Sequence, residues 1–224
     1  MASELIKGIV IKSQDFEQKD KIITILTENE ILTFIALGVK KIESKNRVAL
    51  ELGNLIEAEI FRARLQGKLS KLKKAHIIKQ APIKTNDTSE VIHEIIKIMQ
   101  WIQIPSQKLF KAFLDVYDFL GTKYNDWCKT YLSFYFLDSI GEFPITEKCA
   151  ECNTRNRIID FNFFKGGFLC VNHSNKKTDI KILKSLKSLA TSIIEYKECS
   201  PRTNIIIYKM IIEYIKSNTM INNV

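Results

Sequence analysis

Up to Pro82 the apolar residues of this sequence fall into short β-branched or alternating runs, and beyond it they recur at helical spacing. That single change of period makes the chain an α+β protein with its strands first and its helices after. The stretches LIKGIVIKS, IITILT, ILTFIAL, NLIEAEIFRARL and KLSKLKKAHII are five candidate strands, with reversals at Glu28-Asn29-Glu30, Gly53-Asn54 and Gln66-Gly67. A sheet this small hides its edges only by closing on itself, so an OB-fold β-barrel is preferred over an open sheet.

After Pro82, Ser89 opens a helix with Val91, Ile92, Ile95, Ile96, Met99 and Ile102 on one face, ended by Pro105. Ser106 caps a second helix carrying Leu109, Phe110, Phe113, Leu114 and Tyr117, with Gly121 at its expected stop. A third, about Asp126 to Ile140, is apolar nearly all round and belongs at the centre of its domain. Thr178-Asp179 start a helix with Ile180, Leu183, Leu186, Leu189 and Ile193, and Pro201 opens the last, NIIIYKMIIEYIKS. The domain boundary is placed between Pro82 and Ser89, giving an OB-fold domain over residues 1–82 and an α-helical domain over 83–224 with a small metal module at about 147–175.

That module is the chemically distinctive part of the chain. Cys149-Ala-Glu-Cys152 presents two thiols from one tight turn, Cys170-Val-Asn-His173 repeats the geometry, and seventeen residues (153–169) lie between the pairs. The spacing fits a zinc knuckle with a Cys3His tetrahedron, one Zn2+ per chain. Gly166-Gly167 supplies the positive φ that such a turn needs, and FNFF before it reads as a strand. A metal-free hairpin with buried cysteines is the blander alternative. Four protein ligands leave no open position for water or substrate, so the expected zinc is structural. No H-x-E deaminase pattern, H-E-x-x-H, G-x-S-x-G, G-x-G-x-x-G or G-x-x-x-x-G-K-[ST] is found, which argues against an enzyme. His76 and His93 read as structural or solvated histidines, Cys128 as core packing and Cys199 as a helix-end residue.

Five cysteines, three of them in one segment, are not a disulfide framework; Glu4 and Lys7 interrupt the opening residues, so no secretory leader is expected there, and no apolar run approaches membrane-spanning length. A reduced cytoplasmic protein with thiols free for metal is expected.

Thirty-four Lys and Arg against 25 Asp and Glu give a net charge of +9, which favours a polyanionic partner. Residues 1–82 carry 15 basic and 10 acidic side chains, 83–148 carry 7 and 9, and 149–224 carry 12 and 6, so nucleic-acid contact is expected at the two ends. In the barrel the candidates are Lys12, Lys21, Lys40, Lys41, Lys45, Arg47, Lys68 and Lys71, which fall mostly at turns and strand ends, with Arg62, Arg64, Lys73 and Lys74 nearby. Aromatic residues for base stacking are few (Phe16, Phe34, Phe61), and alternation turns Phe34 and Phe61 toward the core, so phosphate contacts should dominate. A basic protein-interaction module with only minor DNA contact is the alternative reading, and a zinc enzyme acting on nucleic acid is the third.

The opening KGIVIKSQDFEQKDKIITILTENEILTFIALGVKK, the later LIEAEIFRARLQGKLSKL and the C-x2-C…GG-x-x-C-x-x-H segment together resemble the bacterial DNA repair and recombination family RecO over nearly the whole chain. Asp15-Phe16-Glu17 with Asp20-Lys21, and Gly38 with Lys40 and Lys41, stand where that family's short motifs stand. Gln14 and Glu17 depart from the Arg and Gly common there, leaving the first loop less basic. The resemblance implies an N-terminal OB fold, a helical body with a zinc module and no catalytic site. It also implies binding of single- and double-stranded DNA, strand annealing, and work with RecR to load RecA onto DNA covered by the single-stranded DNA-binding protein SSB, away from any membrane.

Overall fold

Along β3 (Ile31–Ala36), Leu32, Phe34 and Ala36 are buried while Ile31, Thr33 and Ile35 are only half-buried. This period of two turns one side of the strand into a core and leaves the other at the surface. Part of β2 (Asp20–Leu26) and most of β4 (Leu55–Phe61) alternate in the same way, whereas β1 (Glu4–Phe16) buries Gly8, Ile9, Val10 and Ile11 in succession and β5 (Ser70–Lys79) buries only Ser70 and Ala75. In the computed structural model, which describes residues 3–65, 67–82, 86–99, 102 and 104–218, these strands close into a barrel of order β1-β2-β3-β5-β4. Neighbours are antiparallel except β3 and β5, which run parallel through Phe34↔Ser70 and Ile35↔Lys71 and so complete the OB-fold barrel. Val10, Ile23, Ile25, Phe34, Ile56 and Ile60 fill its interior.

The connection from residue 37 to 54 has turns but no regular element, yet it is not loose cover. Val39, Ala49 and Leu50 are buried in the barrel core and plug one end of it. Asn54, expected in a reversal with Gly53, is fully buried: its Nδ2 donates to Val48 O (2.8 Å) and its Oδ1 accepts the Ala81 N–H (2.8 Å). A side chain that reads as a turn former in sequence is here a bracket between the plug and the end of β5.

Helix α1 (Asn86–Met99) packs on β1, burying the expected Val91, Ile92, Ile95, Ile96 and Met99, with Ile102 buried just beyond. It begins at Asn86, three residues before the expected Ser89; Asn, Asp and Thr start helices as well as Ser does, so spacing alone does not choose among them. Ile92 and Ile96 cluster with Ala81 and the half-buried Leu52. The packing accordingly divides into one unit over Met1–Lys111 and another over Ala112–Val224, so the change of period after Pro82 is not where the packing parts. Residues 83–85 of the expected linker, and Gln66 of an expected reversal, lie outside the described residues.

Helix α2 (Gln107–Val116) starts as expected, with the Ser106 hydroxyl accepting the Leu109 N–H (3.0 Å). It ends at Val116 rather than near Gly121. The N–H groups of Phe119 and Leu120 both turn back to Val116 O, and Gly121 N–H donates to Asn125 Oδ1 (2.8 Å), so this glycine serves the start of the next helix. That helix, α3 (Asn125–Ser139), buries Cys128, Tyr131, Leu132, Phe134, Tyr135, Phe136 and Leu137 and is the centre of the second unit. Around it lie α4 (Ile180–Thr191), α5 (Ile193–Tyr196) and α6 (Pro201–Asn218). A hairpin of β6 (Ile158–Asn162) and β7 (Gly167–Cys170) completes the unit. The expected FNFF strand is only half strand. Asn162 Oδ1 accepts the Phe164 N–H (2.9 Å), which starts a single 3-10 turn over Phe163–Lys165. No helix among the described residues is long and apolar enough to cross a membrane.

Candidate metal centre and nucleic-acid surface

Two short turns bring four donors to one point. In the first, Asn153 N–H returns to Cys149 O (2.9 Å) and Cys149 N–H donates to Thr154 O (2.7 Å). In the second, the N–H groups of His173 and Ser174 both return to Cys170 O. Ala150 N–H donates to Phe168 O (2.8 Å), tying the first turn to β7. As a result Cys149, Cys152 and Cys170 Sγ and a ring nitrogen of His173 all lie within 4.8 Å of one another.

The separations suit a tetrahedral zinc. Metal–ligand bonds of about 2.3 Å to sulfur and about 2.0 Å to nitrogen imply edges of roughly 3.8 Å between sulfurs and roughly 3.5 Å from sulfur to nitrogen. Cys152 and Cys170 Sγ are 3.7 Å apart, and His173 Nδ1 is 3.6 Å from Cys149 Sγ and 3.3 Å from Cys170 Sγ. All three thiols are free, as that distance between sulfurs requires.

Electrostatics point the same way. Burial raises the Cys149 thiol, but the backbone N–H groups of Cys152, Cys170 and Glu151 outweigh it and bring the pKa down to about 6. Cys170 is also lowered: burial opposes this, while the Asn172 N–H and the His173 ring favour its thiolate. Cys152 moves up despite the Thr154 N–H, because burial and the sulfurs of Cys170 and Cys149 disfavour a further charge. His173 is raised, chiefly by its contact with Cys170. Three crowded sulfurs cannot all ionise without a cation among them, and a divalent ion would relieve that conflict.

A residue that sequence reading passed over holds the module in place. Asp160 on β6 is buried and accepts from the hydroxyls of Ser174 (2.6 Å) and Thr178 (2.6 Å). Burial raises its carboxyl, but the two hydroxyls and the Phe161 N–H outweigh that and hold it below the ordinary value. The chain leaving His173 is thereby fastened to β6. The available signal was slight: one acid in an otherwise apolar strand, IIDFN.

On the barrel, strand register brings separated cations together. Lys21 stands opposite Ala36 and Lys71 opposite Ile35, so both flank the end of β3 from which the 37–54 connection leaves. That connection is clasped to the β1–β2 turn. Gly38 N–H donates to Asp20 Oδ1 (2.7 Å), Lys40 N–H to Lys19 O (3.0 Å), and Lys40 Nζ to Asp15 Oδ2 (2.8 Å). Asp15 is lowered, first by its hydrogen bond from Lys40, which outweighs an opposing desolvation, and further by the charges of Lys40 and Lys21. Asp15, Asp20, Gly38 and Lys40, separate in sequence, are thus one clasp.

Lys41, Lys45 and Arg47 are exposed on the same connection, where the intervening Asn46 Oδ1 accepts the Ala75 N–H of β5 (3.0 Å). Lys68 and Lys71 are exposed around the start of β5, beside a 530 Å³ groove that Arg64, Leu65 and Leu69 also line. Lys12, opposite Thr24, is half-buried and precedes Asp15 on β1. Arg62 is held by Glu4 and Glu30, and Lys73 by Glu59 (2.7 Å). Phe34 is fully buried as alternation required, Phe61 is half-buried, and Phe16 is exposed. His76 and His93 are both exposed.

Residues 1–81 match the family model described as Recombination protein O N terminal. Over 200 residues, 84% of this chain and 75% of the relative, the sequence is 28% identical to the DNA repair protein RecO of Mesoplasma florum. It is 31% identical over 167 residues to the DNA repair protein RecO of Mycoplasma mycoides, covering 70% of this chain and 67% of the relative. The DNA repair protein RecO of Syntrophomonas wolfei is 24% identical over 173 residues, 73% of this chain and 67% of the relative.

Proposed function

Because the chain belongs to the RecO family of DNA repair proteins, we propose that it is a DNA-binding recombination mediator rather than an enzyme. It binds and anneals single-stranded DNA and helps RecR load RecA onto DNA covered by SSB, in the bacterial cytoplasm. Residues 1–82 serve as the nucleic-acid-binding domain, and residues 83–224 as the helical domain with the metal module. One Zn2+, held by Cys149, Cys152, Cys170 and His173, supplies no chemistry beyond cross-linking the two turns, because four protein ligands fill its shell.

The observation that carries this reading is the convergence at one end of the barrel of Lys21 and Lys71, which flank the end of β3, with Lys40 and Lys41 on the connection fixed by the Asp15 and Asp20 clasp. Preset cations beside a closed barrel suit a phosphodiester backbone, which carries charge at regular intervals and asks little of base identity. Lys45, Arg47, Lys68 and Lys12 extend the track.

The test is binding of a fluorescent single-stranded oligonucleotide across a salt series. A steep negative slope of log K against log salt is expected, reduced by up to about 1.4 in K40A/K41A at about 0.7 per phosphate contact. A slope near zero refutes DNA binding and leaves the protein-interaction reading in its place. An unchanged slope in the variant refutes only the assignment of the loop. Elemental analysis of protein purified without added metal tests the zinc, with one ion per chain expected.

A further inference from the structure

The second unit has a basic surface that the barrel reading does not use. Lys181, Lys184 and Lys187 are exposed along α4, on the side away from its buried Leu183, Leu186 and Leu189. At about 1.5 Å of rise per residue they span about 9 Å, the stacked length of two to three nucleotides at about 3.4 Å each. The C-terminal half of α4 meets the metal module: Arg155, from the first cysteine turn, and Lys187 line one cleft of about 260 Å³ with Thr146, Glu147, Ala190 and Thr191. Lys176 and Lys177 are exposed just before the helix.

Little negative charge opposes this surface. Between residues 161 and 194 the sequence contains one acid, Asp179. Its carboxylate caps α4 by accepting the Lys181 N–H (2.8 Å). Asp160, the nearest acid before it, is buried and bonded to Ser174 and Thr178. Glu147 is the one carboxylate lining the cleft, and Glu151 is exposed on the first cysteine turn, so the low acid content belongs to α4 and the chain before it. Lys181, Lys184, Lys187 and Arg155 take part in no ion pair among the described residues.

We propose that α4 and the first cysteine turn form a second binding surface for a nucleic-acid strand, built from residues other than those of the barrel track, with Arg155 and Lys187 gripping one phosphate between them. This rests on the reading of the protein as a DNA-binding mediator and deepens it: annealing requires two strands, and each unit holds one. A strand fits better than an acidic protein because the cleft offers cations and hydroxyls with Ala190 as its only apolar lining residue, although Ile180 is exposed at the start of α4. Protein partners are usually anchored by a buried aromatic or aliphatic side chain, whereas phosphate contacts need only charge and donors. The cysteine turns fix where Arg155 stands, so the metal module helps to shape this surface without chemistry of its own.

The experiment uses the full chain with zinc, a short single-stranded oligonucleotide, and the variants K181Q/K184Q/K187Q and K40A/K41A. Gln keeps good helix propensity, so circular dichroism and zinc content should match the wild type. The wild type should bind two strands per chain at low salt and the α4 variant one, with annealing of complementary strands at least tenfold slower. K40A/K41A should weaken the other strand instead. If the wild type binds strands but the α4 variant keeps both stoichiometry and annealing rate, the second surface is refuted and the barrel reading stands. If the wild type binds no strand, both fall together. Displacement of the second strand by polyglutamate as readily as by oligonucleotide would overturn the assignment to nucleic acid in favour of an acidic peptide.

Discussion

Alanine at Gly167 and at Gly166 should have very different effects, although the two residues are adjacent and both have positive φ. Gly167, at φ +134°, stands where a Cβ would lie 2.2 Å from Ile145 O and 2.7 Å from Ile145 N. The obstacle is backbone, so no rotamer can relieve it. The segment holding Ile145 must move, breaking the Phe168 N–H bond to Ile145 O (2.9 Å) and the Ile145 N–H bond to Gly166 O (2.8 Å). Two net hydrogen bonds at about 1 kcal/mol each, plus about 2 kcal/mol of backbone strain, make G167A destabilising by about 4 kcal/mol. Gly166, at φ +78°, would place its Cβ 3.8 Å from Ala150 Cβ, an ordinary contact. Its cost is the left-handed conformation alone, about 1 kcal/mol. Because metal binding is coupled to folding of the module, the difference of about 3 kcal/mol appears as about a hundredfold in zinc affinity. Competition with a chromophoric chelator measures it, and urea denaturation of both variants gives the stability side. Equal zinc affinity of G166A and G167A would refute the claim that the approach of Ile145 to Gly167 shapes the site.

Three further outcomes follow from contacts described above. N54A should destabilise the protein by about 3 kcal/mol in urea denaturation, since it orphans the Ala81 N–H and Val48 O inside the first unit; a loss under about 1 kcal/mol contradicts the bracket role. D160A should cost about 3 kcal/mol at neutral pH by removing the buried carboxylate that accepts two part-buried hydroxyl bonds. A carboxylate held low in the folded state contributes above its ordinary value of 3.8 and stops contributing as pH falls through the lower folded value, so the gap between wild type and D160A should close on acidification through that range. D15N should raise affinity for single-stranded DNA about two- to fivefold at low salt by freeing Lys40 and removing a carboxylate from the track; weaker binding would show that the clasp matters more than the freed charge.

The parts of this fold legible in the sequence are those in which one residue's environment follows from its neighbours' spacing. Leu32, Phe34 and Ala36 declare a strand face, Val91 to Met99 a helix face, and Cys149 to His173 a metal-type cluster, because each pattern is local. What stayed hidden depends on distant partners. Asn54 looks like a turn former, and only the approach of Ala81, 27 residues away, makes it a buried bracket. Val39, Ala49 and Leu50 lie in a connection with no period, so nothing local marks them as a plug for the barrel. The stop of α2 at Val116 was obscured because Gly121, a plausible terminator, is engaged by Asn125 of the next helix. Asp160 showed as a charge in a strand, and its two hydroxyl partners lie 14 and 18 residues on.

The acids within the basic track are the least expected part of the barrel surface, and their geometry accounts for them. A loop rich in Lys would splay by self-repulsion, and a phosphate strand would then have to order it on binding, at a cost in conformational entropy. Asp20 holds the Gly38 backbone and Asp15 holds the Lys40 ammonium, so the loop is ordered beforehand. The two bonds differ in what binding does to them. The Asp20 bond uses a backbone N–H and can persist with DNA bound. The exposed Asp15–Lys40 pair is weak, as such pairs are, and a phosphate can replace Asp15 as partner of the ammonium. Lys40 therefore enters binding already half-neutralised and contributes less to the salt slope than Lys41, which is exposed one residue on. On this argument K41A alone lowers the slope more than K40A alone, a ranking that counting charges in the sequence could not produce.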